Sequence, residues 1–270
     1  MVNAFTVPPS ARYLEARLAS LENTCTVSVL REHPDLGKHL GPARAETASR
    51  RAVTSVISLP KGELSAQELL PSQPGALGLL VLEGLLLRAV SVTGRPSVEV
   101  LGPGDLVRPF DHDFERARDS DAIVSAETRW WALRPARLAV LDASFVHRMS
   151  AFPEVISELA GRLARCSAEG CLRLAIVQEP CLSSRLHFML WHLADRYGRV
   201  HPEGVVLHVP LCHSLLSWLV GASRPAVSRA LKELERAGHI ARRTDGTWWL
   251  GRQPQDGVVG LMLAAHRLAA

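Results

Sequence analysis

Residues 211–252 read LCHSLLSWLVGASRPAVSRALKELERAGHIARRTDGTWWLGR, and this stretch decides the architecture of the C-terminal part of the chain. Its second half predicts a helix from Arg224 to Ala237. There is no internal Gly, and the single Pro225 stands in the first turn, where a missing N–H costs least. Ser223 is placed as an N-cap and Gly238 as the residue just past the C-terminus. Val227, Ala230, Leu231 and Leu234 follow the i, i+3, i+4, i+7 spacing of one apolar stripe. Arg224, Ser228, Arg229, Lys232 and Arg236 fall outside it and make a largely basic outer face.

A second helix precedes this one, over residues 212–220, with Leu215, Leu216 and Leu219 as its buried side. Gly221-Ala222-Ser223 joins the two, a turn of helix-turn-helix length and composition. Beyond Gly238 come two strand-like runs, 240–243 and 247–250, separated by Thr244-Asp245-Gly246, which reads as a hairpin turn. Helix, turn, basic helix and hairpin in that order predict a winged helix-turn-helix. An ordinary amphipathic helix also carries charge on its wet face, but it does not bring two caps, a short turn and a hairpin with it. Residues 211–252 contain seven Arg or Lys against three acids, so this segment alone accounts for the whole chain's net charge of +4. Excess cations in that position point to a phosphate backbone. The candidate DNA-binding residues are Ser223, Arg224, Ser228, Arg229, Lys232, Arg236, Arg242 and Arg243.

The run GASRPAVSRALKELERAGHI resembles the recognition element of the cyclic AMP receptor / fumarate–nitrate regulator (Crp–Fnr) family of bacterial transcription factors. That family opens the helix with Ser-Arg, repeats an Arg five residues on and closes with Leu-x-x-Leu-x-x-x-Gly. The preceding RLHFMLWHLADRYGRVHPEGVVLHVPL is similar to the family's linker helix and short hairpin. The resemblance implies a sequence-specific, DNA-binding transcription regulator acting as a homodimer on an inverted-repeat operator. RNA polymerase and an unidentified small-molecule effector are the further partners it allows. Where the family often has Glu after the Ser-Arg, this chain has Pro225, so the family's operator does not carry over.

Working outward, residues 151–180 read as a dimerisation helix. Pro153 suits its first turn, and Phe152, Ile156, Leu159, Leu163, Cys166 and Gly170 recur at a period near 3.5, the mark of a coiled-coil seam. Ile156, Leu159, Leu163 and Cys166 are the candidate interface; the competing assignment is a core helix packed on its own domain. Residues 51–150 change texture to short Val, Leu and Ile runs punctuated by Gly, Pro and Asp. VTSVISL, LGLLVLEGLLLRAVSV, SVEVL and RLAVLD are strand candidates, with Gly84 and Gly94-Arg95-Pro96 as turns. They predict an antiparallel β-roll, giving an α+β chain with a roll, a long helix and a winged helix-turn-helix over 181–255. Residues 1–50 read as a variable lead-in in which 13–21 form one helix, and 256–270 as an apolar tail. The first residues lack the pattern of a secretory signal, and no apolar run is long enough to span a membrane, so a cytoplasmic protein is expected.

The roll again resembles the Crp–Fnr family, whose sensor domain is a cyclic-nucleotide-binding roll, and Gly102-Pro103-Gly104-Asp105 matches the turn before its phosphate-binding cassette. There the match ends. The family's nucleotide binders continue with Gly-Glu and then Arg-Ser or Arg-Thr; this chain continues VRPFDHDFERARDSDA. Asp111, Asp113, Glu115, Asp119 and Asp121 make poor ground for an anion, whatever Arg116 and Arg118 add. Trp130 and Trp131 read as packing rather than a ligand cage.

Catalytic and metal chemistry are weakly supported. Cys166, Cys171 and Cys181 contain no C-x₂-C pair, although some members of the resembling family carry an iron–sulfur cluster or haem. No cofactor, metal ligand or catalytic residue is assigned, and no enzyme activity is expected. Two alternatives stay open: a cupin-like metalloenzyme barrel, and a dimeric ligand-binding module without DNA function. The first needs several converging His, yet His112 is the only His between 51 and 141. Cyclic AMP and cyclic GMP are expected neither to raise the melting temperature nor to change DNA affinity. Burying a phosphate beside unpaired carboxylates costs several kcal/mol, against about 8 kcal/mol for a whole micromolar complex. Calorimetry showing micromolar binding that is lost on mutating Arg116 or Arg118 would refute this.

Overall fold

The computed structural model describes residues 25–64, 69, 76–108 and 126–251. The helix expected at 13–21, the acid-rich segment 111–121, the tail 256–270 and Arg252 lie outside the described residues. The chain divides into two compact units, one of Met1–Leu86, Leu101–Ser120 and Arg134–Leu163, the other of Leu87–Val100, Asp121–Leu133 and Ala164–Ala270. Among the described residues no helix is long and apolar enough to cross a membrane.

The chain begins with β1 (Thr26–Ser28), α1 (Val29–Glu32), a 3₁₀ turn (Pro34–Gly37) and α2 (Pro42–Arg51). The roll strands follow: β2 (Val53–Leu59), β3 (Gly62–Leu64), β4 (Gly78–Ser91), β5 (Pro96–Leu101), β6 (Leu106–Val107) and β7 (Glu127–Leu141). They form one sheet in the order β1-β2-β7-β4-β5, with β3 on β7 and β6 on β4. β1–β2, β2–β7 and β4–β6 are antiparallel, with Ile57 opposite Leu138 and Leu80 opposite Leu106. Helices α3 (Ala143–Met149) and α4 (Pro153–Gln178) come next. Asp142 caps α3 by accepting the Phe145 N–H at 2.7 Å.

The core of the first unit is apolar and draws on the N-terminal stretch, on strands of the roll and on both following helices. Val29, Leu30, Leu36, Leu40, Ala48 and Ala52 from the N-terminal stretch pack with Leu80, Leu82, Leu106, Ala139 and Leu141 from strands. Phe145, Met149, Phe152, Val155 and Leu159 complete it from α3 and α4. Residues 25–51, a lead-in by sequence, therefore carry part of the core; their apolar residues are too scattered among Pro, Gly and charge to show a period. The Gly102–Asp105 turn is held from three sides. Asp105 accepts the Gly102 N–H at 2.8 Å, Gly104 N–H reaches the Val81 carbonyl at 2.8 Å, and Arg162 donates to the Gly104 carbonyl at 3.0 Å. Arg162 is buried and also pairs with Asp35 at 2.6 Å. Burial alone would raise the Asp35 carboxyl; the hydrogen bond and charge of Arg162 outweigh it and hold the group below its ordinary value.

One expectation is corrected here. Gly84 is not a turn: β4 runs through it unbroken, with Gly84 at φ +91°. A Cβ at Gly84 would stand 2.3 Å from the Pro135 carbonyl oxygen and 2.6 Å from Ala136 Cα, so the glycine permits the close approach of β7. The stripe on α4 is accounted for in part within its own unit. Leu159 is fully buried in its own unit's core, and Ile156 and Leu163 pack against that core, while Cys166 is half-buried. Hydrophobic period locates a buried stripe but not what buries it: the first unit's core encloses Leu159, while Ile156, Leu163 and Cys166 keep part of their surface.

Replacing Gly84 with Ala is expected to cost more than about 2 kcal/mol, from φ strain plus overpacking. Gly94, at φ +87° with nothing within 4 Å of where a Cβ would stand, is the control and should lose only the backbone part, about 1 kcal/mol. Urea midpoints of the two variants check this; equal losses would contradict the close-approach account.

Candidate nucleic-acid interface

The second unit contains α5 (Leu182–Tyr197), the hairpin β8 (Gly198–His201) and β9 (Gly204–Leu207), α6 (His213–Leu219), α7 (Arg224–Arg236), β10 (Ile240–Arg242) and β11 (Trp248–Leu250). The four strands form one antiparallel sheet in the order β10-β11-β9-β8. Thus the hairpin before the two helices and the wing after them share a sheet, with Trp249 opposite both Ala241 and Val206.

α7 packs against α5 and α6. Val227, Ala230, Leu231 and Leu234 are its buried residues, the stripe expected from the sequence. Ser223 caps it, accepting the Ala226 N–H at 3.4 Å, and Pro225 sits in the first turn. The C-terminus closes through Gly238 at φ +71°: Gly238 N–H reaches the Glu235 carbonyl and His239 N–H the Leu234 carbonyl, both at 3.0 Å. This is a Schellman motif, and β10 begins one residue later. α6 ends in the same manner, with Gly221 at φ +64° and Ala222 N–H on the Ser217 carbonyl at 3.0 Å. In the wing, Asp245 accepts the Thr247 N–H at 2.9 Å and its hydroxyl at 2.6 Å. Those bonds hold the Asp245 carboxyl below its ordinary value.

With the apolar stripe inward, the cations of this region stand outward. Arg224, Arg229, Lys232, Arg236, Arg242 and Arg243 are all exposed. Among the described residues none of the six is in an ion pair, whereas Arg44, Arg88, Arg137, Arg162, Arg173 and Arg196 all are. The acid nearest the middle of α7, Glu233, accepts a hydrogen bond from the Ser183 hydroxyl at 2.7 Å. The Arg242 guanidinium lies 5.7 Å from the Trp248 ring centroid. Trp248 is itself buried, with Nε1–H donating to the Leu211 carbonyl at 3.4 Å.

Two of the eight candidate residues do internal work. Ser223 is the cap, and Ser228 is half-buried, hydrogen-bonded to the Arg224 carbonyl at 3.0 Å and to His213 Nδ1 at 2.8 Å. Two residues the sequence did not single out position the unit. His213, at the first turn of α6, is one. The other is Arg185 of α5, which donates to the Glu179 carbonyl through Nε at 3.0 Å and Nη2 at 2.7 Å, and to the Val220 carbonyl through Nη1 at 2.8 Å. Arg185 so satisfies an end carbonyl of α6 that has no helical partner. A side chain reaching backbone 35 residues away leaves no local signature in a sequence. Among the described residues none of Cys25, Cys166, Cys171, Cys181 and Cys212 is in a disulfide. Among the described residues no cluster of three His, Cys, Asp or Glu is placed to hold a metal.

The arrangement presents a capped basic helix and a basic wing without internal neutralisation, a geometry that accepts a polyanion. The family model of the Crp-like helix-turn-helix domain matches residues 184–250. The same fold occurs in a cyclic nucleotide-binding domain containing protein from Listeria monocytogenes EGD-e, at 14% identity and TM-score 0.56 over 72% of this chain and 87% of that one. It occurs in FixK2 from Bradyrhizobium japonicum, at 14% identity and TM-score 0.53 over 74% and 93%. A third similar structure is the c-di-GMP responsive global regulator CLP of Xanthomonas campestris, at 18% identity and TM-score 0.51 over 74% and 95%. Compared by sequence with curated proteins, the chain matches none. The chain therefore carries a Crp-like helix-turn-helix domain over residues 184–250 and shares the fold of these proteins over most of its length.

Proposed function

We propose that α7 reads an operator in the major groove while the wing and the rest of the basic face grip phosphates. The observation that carries this is the set of six exposed cations on α7 and the wing, none ion-paired among the described residues. The first turns of such a helix face base edges. Arg224 and Arg229 are the base readers, each suited to a bidentate contact with guanine O6 and N7. Lys232, Arg236, Arg242 and Arg243 are the phosphate contacts. The protein acts by binding DNA in the cytoplasm, without catalysis, and recruits or blocks RNA polymerase from there. The sensor does not take cyclic AMP, a proposal that rests on the acid-rich sequence at 111–121.

We further propose a homodimer through α4, on a different face from the one its periodicity suggests. Ala160, Ala164, Ala168, Cys171 and Ala175 recur at steps of four and three and are exposed. Leu172 and Leu174 are 51% and 66% exposed, which is costly for leucines left in water. Small residues let two helices approach closely, and the flanking leucines would close over the seam. A two-fold axis there sets two α7 helices on successive major grooves, about 34–36 Å apart, and calls for an inverted-repeat operator.

Two outcomes test these proposals. Arg229→Ala should lose about 1–3 kcal/mol on selected operator DNA and much less on random duplex; Lys232→Ala should weaken both and flatten the salt slope by about one. Equal loss on both duplexes for Arg229→Ala would make it a phosphate contact instead. Ala168→Glu should convert the dimer to monomers in sedimentation velocity, whereas a monomeric wild type, free and on DNA, would remove the dimer proposal.

A further inference from the structure

We propose that Ser228 and His213 are a positioning pair that fixes how α7 is rotated on α6, and that Ser228 does not read a base. The inference rests on α7 being the base-reading helix. A serine hydroxyl has one proton and two lone pairs. Here the proton goes to the Arg224 carbonyl at 3.0 Å, so the Ser228 oxygen is left to accept from His213 Nδ1 at 2.8 Å. His213 therefore carries its proton on Nδ1, and Nε2 has no hydrogen-bond partner among the described residues. With its proton committed to Arg224 and one lone pair taken by His213, Ser228 has no donor left for a base edge and keeps only a single lone pair.

What the pair supplies is angular definition. The buried residues of the two helices are otherwise mostly apolar, Leu215, Leu216 and Leu219 on α6 and Val227, Ala230 and Leu231 on α7, and apolar burial is non-directional. Sliding or rolling one helix a little on the other costs such a surface little. A hydrogen bond is steep in both distance and angle. This one joins the first turn of α6 to the second turn of α7, one turn beyond Arg224 and one residue before Arg229. It sits where a small roll of α7 displaces both arginine heads relative to a base pair.

Side-chain isosteres separate positioning from mere polarity. The amide nitrogen of Asn falls near the imidazole Nδ1 position, and that of Gln near Nε2. His213→Asn keeps a donor for Ser228; His213→Gln removes it but keeps a polar group at the outer position. The probe is a duplex selected by the full-length wild type from a random pool, with unselected duplex as reference. Ser228→Ala and His213→Gln are each expected to reduce the ratio of selected to unselected binding about tenfold, the equivalent of 1.4 kcal/mol. His213→Asn should restore it. Binding to unselected duplex should stay near wild type for all three, because phosphate contacts set it. Long-range ¹H–¹⁵N spectra of the wild type should show the Nδ1–H tautomer of His213, lost in Ser228→Ala.

An Nε2–H tautomer in the wild type, an unchanged ratio in Ser228→Ala, or His213→Asn falling as far as His213→Gln would each overturn the proposal. A wild type that selects no sequence at all would instead remove the base-reading assignment of α7. The tautomer would then still decide the pair.

Discussion

Everything functional in this chain depends on the burial of one narrow stripe, Val227, Ala230, Leu231 and Leu234. Those four side chains leave water only if α7 lies on α5 and α6, and each large one contributes roughly 1.5–3 kcal/mol by doing so. Once that face is spent, Arg224, Arg229, Lys232 and Arg236 have only the opposite side to occupy. The positive surface is thus a by-product of core formation, and no attractive interaction inside the protein is needed to assemble it. The repulsion it stores is modest in solvent, and it is relieved by a polyanion.

Much of this was legible in the sequence because it is local. A cap, a turn glycine, a 3.6-residue period and an Asp-Gly turn each lie within a few residues, and the structure has α6, α7, β10 and β11 where those signals point. β2 likewise coincides with VTSVISL. What the sequence misassigned is relational. Gly84 looks like a turn in any single-strand reading, and only the backbone of Pro135 and Ala136 against it shows that it is a point of close approach. The heptad-like run on α4 marks a stripe whose partner the period does not name: Leu159 is enclosed by its own unit, whereas Ile156, Leu163 and Cys166 are only half-buried. Ser228 stood correctly on the outer side of the period, yet His213 of the neighbouring helix claims it.

The first unit shows how little composition can say about a stretch such as 25–51. Its apolar residues are sparse, but Val29, Leu36 and Ala48 are almost wholly enclosed. Polar anchors bind it at several points: Ser28 to the Ser49 carbonyl at 2.6 Å, Arg44 to Glu154 at 2.6 Å, and Asp35 to Arg162 at 2.6 Å. The exposed pair adds little. Arg162 is different, because a buried guanidinium stripped of Asp35 and the Gly104 carbonyl would be left uncompensated. The N-terminal stretch and the glycine turn of the roll therefore share one cation on α4.

The Schellman closure of α7 has a consequence for how such a domain can diversify. Only Ala237, Gly238 and His239 separate the helix from β10, and two of the three donate a backbone hydrogen bond that ends the helix. No slack remains in which an insertion or deletion is absorbed. Helix and wing are consequently inherited as one rigid stencil, with a fixed offset between the basic face of α7 and the cations of the wing. New binding preferences in descendants of this chain must arise by exchanging side chains on that stencil, while its outline stays the same.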